Sequence, residues 1–414
     1  MWTRLFCRMM DRLVRTGMLE VQLPDGRCLR FGAGPSPDVA VRITDPVWIG
    51  RFVRDPDLAL GEAYMTRGIE IDGDDLHGLL ALLLRNAATE TSGRVWWQRL
   101  VQGLRKARRR LDQSNGHARA TGNVRRHYDL RRDFYDLFLD ADLQYSCAYF
   151  PPGVLSLEDA QQAKKRHIAR KLLMRPGMRV LDIGCGWGGL ALTLAQEHGV
   201  HVTGVTLSEE QLQAARARVV RLGLQDRVDI QLRDYRQVVG RFDRIVSVGM
   251  FEHVGVPNYG RYFGQVRDLL TDDGLALIHS IGRASEPGMT NPFIARYVFP
   301  GGYAPALSEM VAAIERERLW VTDMECLRLH YARTLRHWLD RFDANRAKVD
   351  AIYGDAFVRM WRFYLVASEQ SFVHDRQAVF QVQLSKRVDT VPITRDYLYA
   401  APDSDRDAQR MAAE

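Results

Sequence analysis

The sequence predicts an α/β protein, a doubly wound, Rossmann-like parallel sheet preceded by a small α/β accessory domain. Three observations carry that prediction. From Asn123 onward, strand-like runs alternate with helical patterns, the order that winds into a parallel sheet. The first of those strands runs into "VLDIGCGWGGLALTLAQEHGV" (180–200), where Gly184, Gly186 and Gly188 separate an apolar strand from a helix. The chain has 414 residues, too many for one small core and suited to two domains.

Taken in order, Trp2, Leu5/Phe6, Met9/Met10 and Leu13/Val14 recur at helical spacing, with Arg4, Arg8, Arg12 and Arg15 between them. Such a helix packs its apolar stripe on its own domain or lies in a membrane interface. Residues 18–90 read as a small α/β module, with a hairpin around Pro24-Asp25-Gly26 and a helix in "DDLHGLLALLLRN" with Asp at its start. The expected organisation is an accessory domain over 1–90, a basic linker over 91–122 and the main α/β domain over 123–414. In the latter, 179–184, 201–207, 227–233, 242–249 and 274–281 are strand-like, and Ser208 caps a helix with Glu and Gln in its first turn. "VFQVQLSKR" (379–387) alternates cleanly and suggests one more strand at a sheet edge.

Composition narrows the functional classes. With 46% apolar and 26% charged residues, the chain reads as an ordinary globular protein without repeats. The longest apolar runs, such as "LLALLL" (79–84), fall far short of the roughly 18–20 residues of a membrane span. Arginines interrupt the N-terminal apolar residues, so no signal-peptide core is expected. Cys7, Cys28, Cys147, Cys185 and Cys326 show no metal-ligand spacing and read as reduced thiols of a cytoplasmic protein; no metal is expected. The net charge is +7, and Arg99–Arg132 holds eleven Lys/Arg against Asp112 and Asp129. Such a stripe suits an anionic partner, either lipid or nucleic acid, and a solvated linker face explains it equally well.

Glycines at a strand's carboxyl end let a ligand lie against bare backbone. A dinucleotide site calls for G-x-G-x-x-G and an acid ending the second strand. Here the loop is "GCGWGG", Asp182 stands two residues before its first glycine, and "HVTGVTLS" ends without an acid. "LDIGCGWG" resembles motif I of the class I S-adenosylmethionine methyltransferases. On that reading Asp182, Gly184 and Gly186 hold the cofactor. Thr206, Leu207 and Gln211 occupy the ribose-contacting position, where hydroxyl and amide groups can replace the missing acid. Asp234 and Tyr235 follow the third strand, placed to bond and cover an adenine.

Nucleic-acid amino-methyltransferases commonly carry Asn/Asp-Pro-Pro-aromatic after the fourth strand; this chain has "SVGMFEHVG" there, which counts against a nucleic-acid substrate. The strings "NVRRHYDLRRDFYDLFL", "LQYSCAYFPPG", "GVTLSEEQ", "RIVSVGMFEHVG", "LIHSIGR", "YVFPGGYAP" and "RLHYARTLRHW" together closely resemble the cyclopropane fatty acid synthase family, over roughly residues 60–400. The resemblance implies a class I methyltransferase that acts on cis double bonds of phospholipid acyl chains. It further implies a bound bicarbonate as base, caged by Cys147, Glu252, His279, Ile281 and Tyr331. Tyr145 and Ser146 match positions touching the cofactor's methionine end, and Tyr128 is a further cofactor candidate. The resemblance also suggests a homodimer, and a peripheral attachment to the inner face of the membrane is expected, through the basic stripe over 99–132 or the N-terminal helix.

The residues themselves fit that chemistry. An alkene is a weak nucleophile and must be held against the methyl donor in a dry pocket. Glu252 lies just beyond the fourth strand and His279 near the end of the fifth, where α/β sheets place ligands. An aromatic insertion over 285–340, including "NPFIARYVFPGGY", is the expected wall of an acyl tunnel. Two departures stand out. Arg131-Arg132 replaces the family's commoner Gly-Asn, and "YLVASEQSF" (364–372) lacks the late cysteine of some members, which favours direct transfer. The same residues leave open a methyl- or methylene-branched product, or N-methylation of an amine.

Overall fold

A computed structural model describes residues 1–88 and 132–399. The described chain divides by contacts into two compact units, one of residues 1–88, 288–302 and 331–377, the other of 132–287, 303–330 and 378–399.

The first unit is built on a four-stranded sheet of order β2-β1-β3-β4, with β1 Gly17–Gln22, β2 Cys28–Ala33, β3 Val39–Ile43 and β4 Ile69–Ile71. β1 and β2 form the antiparallel hairpin expected at Pro24-Asp25-Gly26, where Gly26 takes a φ of 84°. β3 runs parallel to β1 and β4 returns antiparallel. The N-terminal helix Trp2–Leu13 turns Phe6 and Met10 into this domain, Phe6 meeting Phe31 edge-on at 6.1 Å and Phe52 at 6.2 Å. Its apolar stripe is therefore spent on internal packing, while Trp2 stays 40% exposed beneath Arg54.

Two later stretches complete the unit. The helix Asp355–His374 sends Arg359 to the Tyr64 carbonyl at 2.6 Å and Arg362 to the Tyr64 hydroxyl at 2.8 Å. Glu369 accepts from Arg336 at 2.8 Å and pairs with His77 at 2.7 Å. Part of the stretch expected to line an acyl tunnel sits here too. Phe293 packs so closely over Gly61 that a Cβ there would lie 2.3 Å from its ring, and Tyr297 donates to Glu62 at 2.8 Å.

The second unit holds a seven-stranded sheet of order β10-β11-β9-β8-β5-β6-β7. Its strands are β5 Arg179–Ile183, β6 His201–Thr206, β7 Val228–Leu232, β8 Phe242–Val248, β9 Leu270–Arg283, β10 Trp320–Cys326 and β11 Gln377–Ser385. Pairings among β5 to β9 are parallel, as the strand–helix alternation requires. The pleat sends neighbouring residues into opposite cores. Leu181 joins Phe251, Tyr262 and Phe263 on one face, and Val180 joins Leu194, Ala195 and Val202 on the other. Ser208 caps the helix Glu209–Arg221, accepting from the Gln211 amide at 3.3 Å.

One strand expectation is corrected. The strand seen at 379–387 is not an edge, because β10 pairs antiparallel on its outer side. Its alternating glutamines mimic a solvated face but are fully buried: Gln381 meets His279, and Gln383 meets Thr322, Tyr397 and the Lys171 carbonyl. The Gln383 amide is satisfied on both its oxygen and its nitrogen, whereas Gln381 Oε1 is buried without a hydrogen-bond partner among the described residues.

Candidate active site

The pocket forms where β5 ends. Gly184 and Cys185 both donate to the Val205 carbonyl on β6, at 2.9 and 3.0 Å, bending the chain sharply back across the sheet edge. Gly184 has a φ of 80°, and a Cβ there would lie 3.0 Å from that of Met250. Gly188, also left-handed at 82°, leads into the helix Gly189–His198. The resulting cavity is lined by Tyr145, Ser146, Asp182, Gly184, Gly186, Thr206, Leu207, Gln211, Asp234 and Tyr235. Every cofactor residue expected from the sequence lies there except Tyr128, which falls outside the described residues, as do 99–131 of the basic stripe.

The lining is chemically varied. Asp182 is buried, its Oδ2 has no hydrogen-bond partner among the described residues, and burial pushes its pKa up to about 7 against the pull of the Lys164 ammonium. Thr206 donates to Gln211 Oε1 at 2.8 Å, which leaves the Gln211 amide nitrogen for a ligand. Asp234 is engaged by Arg236, from its backbone N–H at 3.0 Å and its side-chain Nε at 2.8 Å. Burial pushes Tyr235 up to about 12, so it is a neutral ring, packed edge-on against Tyr262 at 5.3 Å. Sequence reading missed Trp187, Met250 and His253 as lining residues. Trp187 stands inside the glycine motif itself, and the other two flank Glu252, so both motifs carried the signal.

Glu252 occupies a short helical turn, Phe251–His253, just after β8, and Met250, His253 and Val254 around it line the cofactor pocket. Its Oε1 accepts the Ile281 N–H of β9 at 2.7 Å, and its carbonyl accepts from the Tyr303 N–H at 2.9 Å. Oε2 is buried without a hydrogen-bond partner among the described residues. Burial pushes the Glu252 pKa up to about 7, against hydrogen bonds that favour the anion. His279 shares a face of β9 with Ile281, and its Nδ1 lies 3.1 Å from Gln381 Nε2. Because an amide NH2 only donates, Nδ1 accepts and Nε2 carries the ring proton. Burial lowers its pKa to about 3, so the ring stays neutral at physiological pH. Glu252 and His279 thus have separate partners, an arrangement different from a directly bonded pair.

Cys147 is buried and its thiol approaches the Ala148 carbonyl at 3.3 Å. Tyr331 stands on the helix His330–Ala344 and belongs to the first unit, where its ring meets Phe372 at 5.0 Å and Trp338 at 5.7 Å. Among the described residues no group of His, Cys, Asp and Glu forms a metal site, and no helix is long and apolar enough to cross a membrane.

The parallel sheet, the left-handed glycine loop and the buried acid beneath it define a class I S-adenosylmethionine-dependent methyltransferase. Comparison with known proteins gives the family. The model of the mycolic acid cyclopropane synthetase family matches residues 115–382, and a domain of unknown function matches 5–92. A probable fatty acid methyltransferase of Pseudomonas putida is 38% identical over 393 residues, 92% of this chain and 96% of its own. The cyclopropane-fatty-acyl-phospholipid synthase of Escherichia coli is 38% identical over 383 residues, 89% of this chain and 96% of its own. Among solved structures, the mycolic acid cyclopropane synthase CmaA1 complexed with SAH and CTAB superposes with a TM-score of 0.61 at 32% identity, over 64% of this chain and 97% of its own. The chain belongs to the cyclopropane fatty acid synthase family.

Proposed function

We propose that the protein converts cis-unsaturated acyl chains of membrane phospholipids to cyclopropane chains. The observation that carries this reading is Glu252. It is a buried carboxylate with one oxygen fixed by Ile281 and the other unpartnered, in the turn that also supplies lining to the cofactor pocket. Support comes from the relatives, whose names specify fatty acid methyltransferase and cyclopropane-fatty-acyl-phospholipid synthase activity.

The pocket fits S-adenosylmethionine. The unpartnered Asp182 Oδ2 suits an ammonium, the Ser146 hydroxyl a carboxylate, and the Thr206–Gln211 pair a ribose. When bound, that cofactor supplies an electrophilic methyl group. Addition of the methyl to one alkene carbon leaves a cation on its neighbour, and loss of a proton from the new methyl closes the ring. Ionised Glu252, itself buried, would stabilise that developing positive charge. Neutral His279 presents its Nε2–H as a donor and carries no charge that would repel the cation.

Bicarbonate is the proposed proton acceptor. Cys147, Glu252 and His279 would hold it, and Tyr331 joins them on the sequence resemblance alone. The Ile281 N–H is already given to Glu252, so the contribution of Ile281 is to fix the carboxylate. The acidic surface of a phospholipid leaflet is the proposed partner, with the protein bound as a peripheral homodimer.

The test is incubation with S-adenosylmethionine and vesicles of oleoyl-containing phospholipid, followed by mass spectrometry of the fatty acids. A gain of one CH2 with the double bond consumed is expected. Retention of the alkene would show that the cation is quenched by another route. Absence of product from vesicles that bind the protein would overturn the lipid reading.

A further inference from the structure

The helix Leu157–Lys171 contradicts the rule that lysine stays at the surface. Lys164 is fully buried within it, yet nothing in the proposed chemistry uses it. Its ammonium donates to Gln144 Oε1 at 2.7 Å and to Ser146 Oγ at 2.8 Å. One turn earlier on the same face, Gln161 Nε2 donates to the backbone carbonyls of Gln144 and Ser146, at 3.1 and 3.0 Å. Helix and segment 144–146 are thus joined by four hydrogen bonds, and that segment lines the cofactor pocket.

We propose that Lys164 is a positioning residue of the cofactor pocket, which makes Ser146 an obligate hydrogen-bond donor toward the carboxylate of the bound amino-acid moiety. A serine hydroxyl has one proton and two lone pairs, and its proton rotates to suit its neighbours. An ammonium against one lone pair repels the hydroxyl proton, so the O–H must point away from Lys164. Ser146 lines the cavity, and the group it then addresses is an acceptor. Gln144 is oriented by the same ammonium. With its Oε1 held by Lys164, its Nε2 donates to Asp142 Oδ2 at 3.0 Å, where Lys165 also binds at 2.6 Å.

Lys164 is also the charge felt by the rest of the site. It opposes the rise of Asp182 and contributes to the lowering of His279. The groups facing it are Asp140, Asp142, Asp182, Cys147, Lys165 and His279. Burial pulls its pKa down to about 8 against Asp140, so the ammonium is lost in mildly alkaline solution. The neutral amine has a lone pair that accepts, and the Ser146 proton is then free to turn inward.

This inference rests on the cofactor reading, and the experiment separates the two. Binding of S-adenosylhomocysteine and of methylthioadenosine, which lacks the amino-acid moiety, is measured by calorimetry on the full chain. For Lys164→Met the expected loss is about tenfold or more for S-adenosylhomocysteine, the scale of a hydrogen bond to a charged group, with methylthioadenosine affinity unchanged. Ser146→Ala, which removes a single oxygen from a buried side chain, gives the same split if the Met variant does not fold. It also removes that part of the wild-type decline above pH about 8 which arises from Lys164. Equal loss of both ligands, or loss of neither, overturns the role of Lys164. Failure of the wild type to bind either ligand overturns the cofactor reading instead.

Discussion

Glu252→Gln is expected to lower ring formation by about a thousandfold while leaving S-adenosylhomocysteine affinity within about threefold of wild type. The amide keeps the shape of the carboxylate and can still accept the Ile281 N–H, so the turn Phe251–His253 holds its place. What it removes is the negative charge beside the developing cation. In a buried site that charge is worth far more than in water. Loss of cofactor affinity in parallel would show that Glu252 organises the pocket and has no part in the chemistry.

A pH dependence follows from the same group. The Glu252 pKa, raised to about 7, means that the carboxyl is protonated and neutral below that pH and ionised above it. Activity therefore falls on the acid side of neutrality as the charge is lost. His279, lowered to about 3, is neutral throughout and contributes no limb in that range. The residual activity of Glu252→Gln is expected to lack the acid limb that Glu252 provides.

Gly184→Val is the second large effect. Its φ of 80° is a conformation that costs an L-residue roughly 1–2 kcal/mol, more for a β-branched one. Its new Cβ would also sit 3.0 Å from that of Met250. Because Gly184 N–H bonds to Val205 O, the loop cannot relax without breaking the β5–β6 junction. Cofactor affinity is expected to fall by about a hundredfold or more, the combined scale of strain and overpacking. Gly186→Ala is the control. It has a φ of 53° but nothing within 4 Å of the new Cβ, so only the backbone strain remains, and the loss is about tenfold. Similar losses in both variants would show that the close approach to Met250 is unimportant.

Much of this site was legible in the sequence because the signals were local. The strand alternation, the glycine loop and the Ser208 cap each depend on a few adjacent residues, and the structure realises them within a residue or two at most strand ends. What escaped depends on distant partners. The strand at 379–387 reads as a sheet edge because nothing nearby in sequence announces β10, or His279 and Thr322 as partners of Gln381 and Gln383. Asp234 read as free for adenine, although the residue two places on, Arg236, occupies it. The helix Leu157–Lys171 is strongly polar, and its buried lysines are intelligible only beside their counter-charges: Asp142 for Lys165 and Glu325 for Lys171. Likewise, residues 288–302 and 331–377 belong to the same compact unit as the N-terminal sheet, a grouping that no local pattern marks.

The most direct measurement repeats the oleoyl-vesicle assay with S-adenosylmethionine deuterated in its methyl group, and reads where the label resides in the product. Ring closure through deprotonation of the new methyl predicts a saturated cyclopropane that has lost one deuterium from that carbon and kept the others. A product that retains the fully deuterated methyl, with the double bond shifted along the chain, would mean that the proton leaves from elsewhere. The assignment of Glu252 and its neighbours to methyl deprotonation would then be wrong.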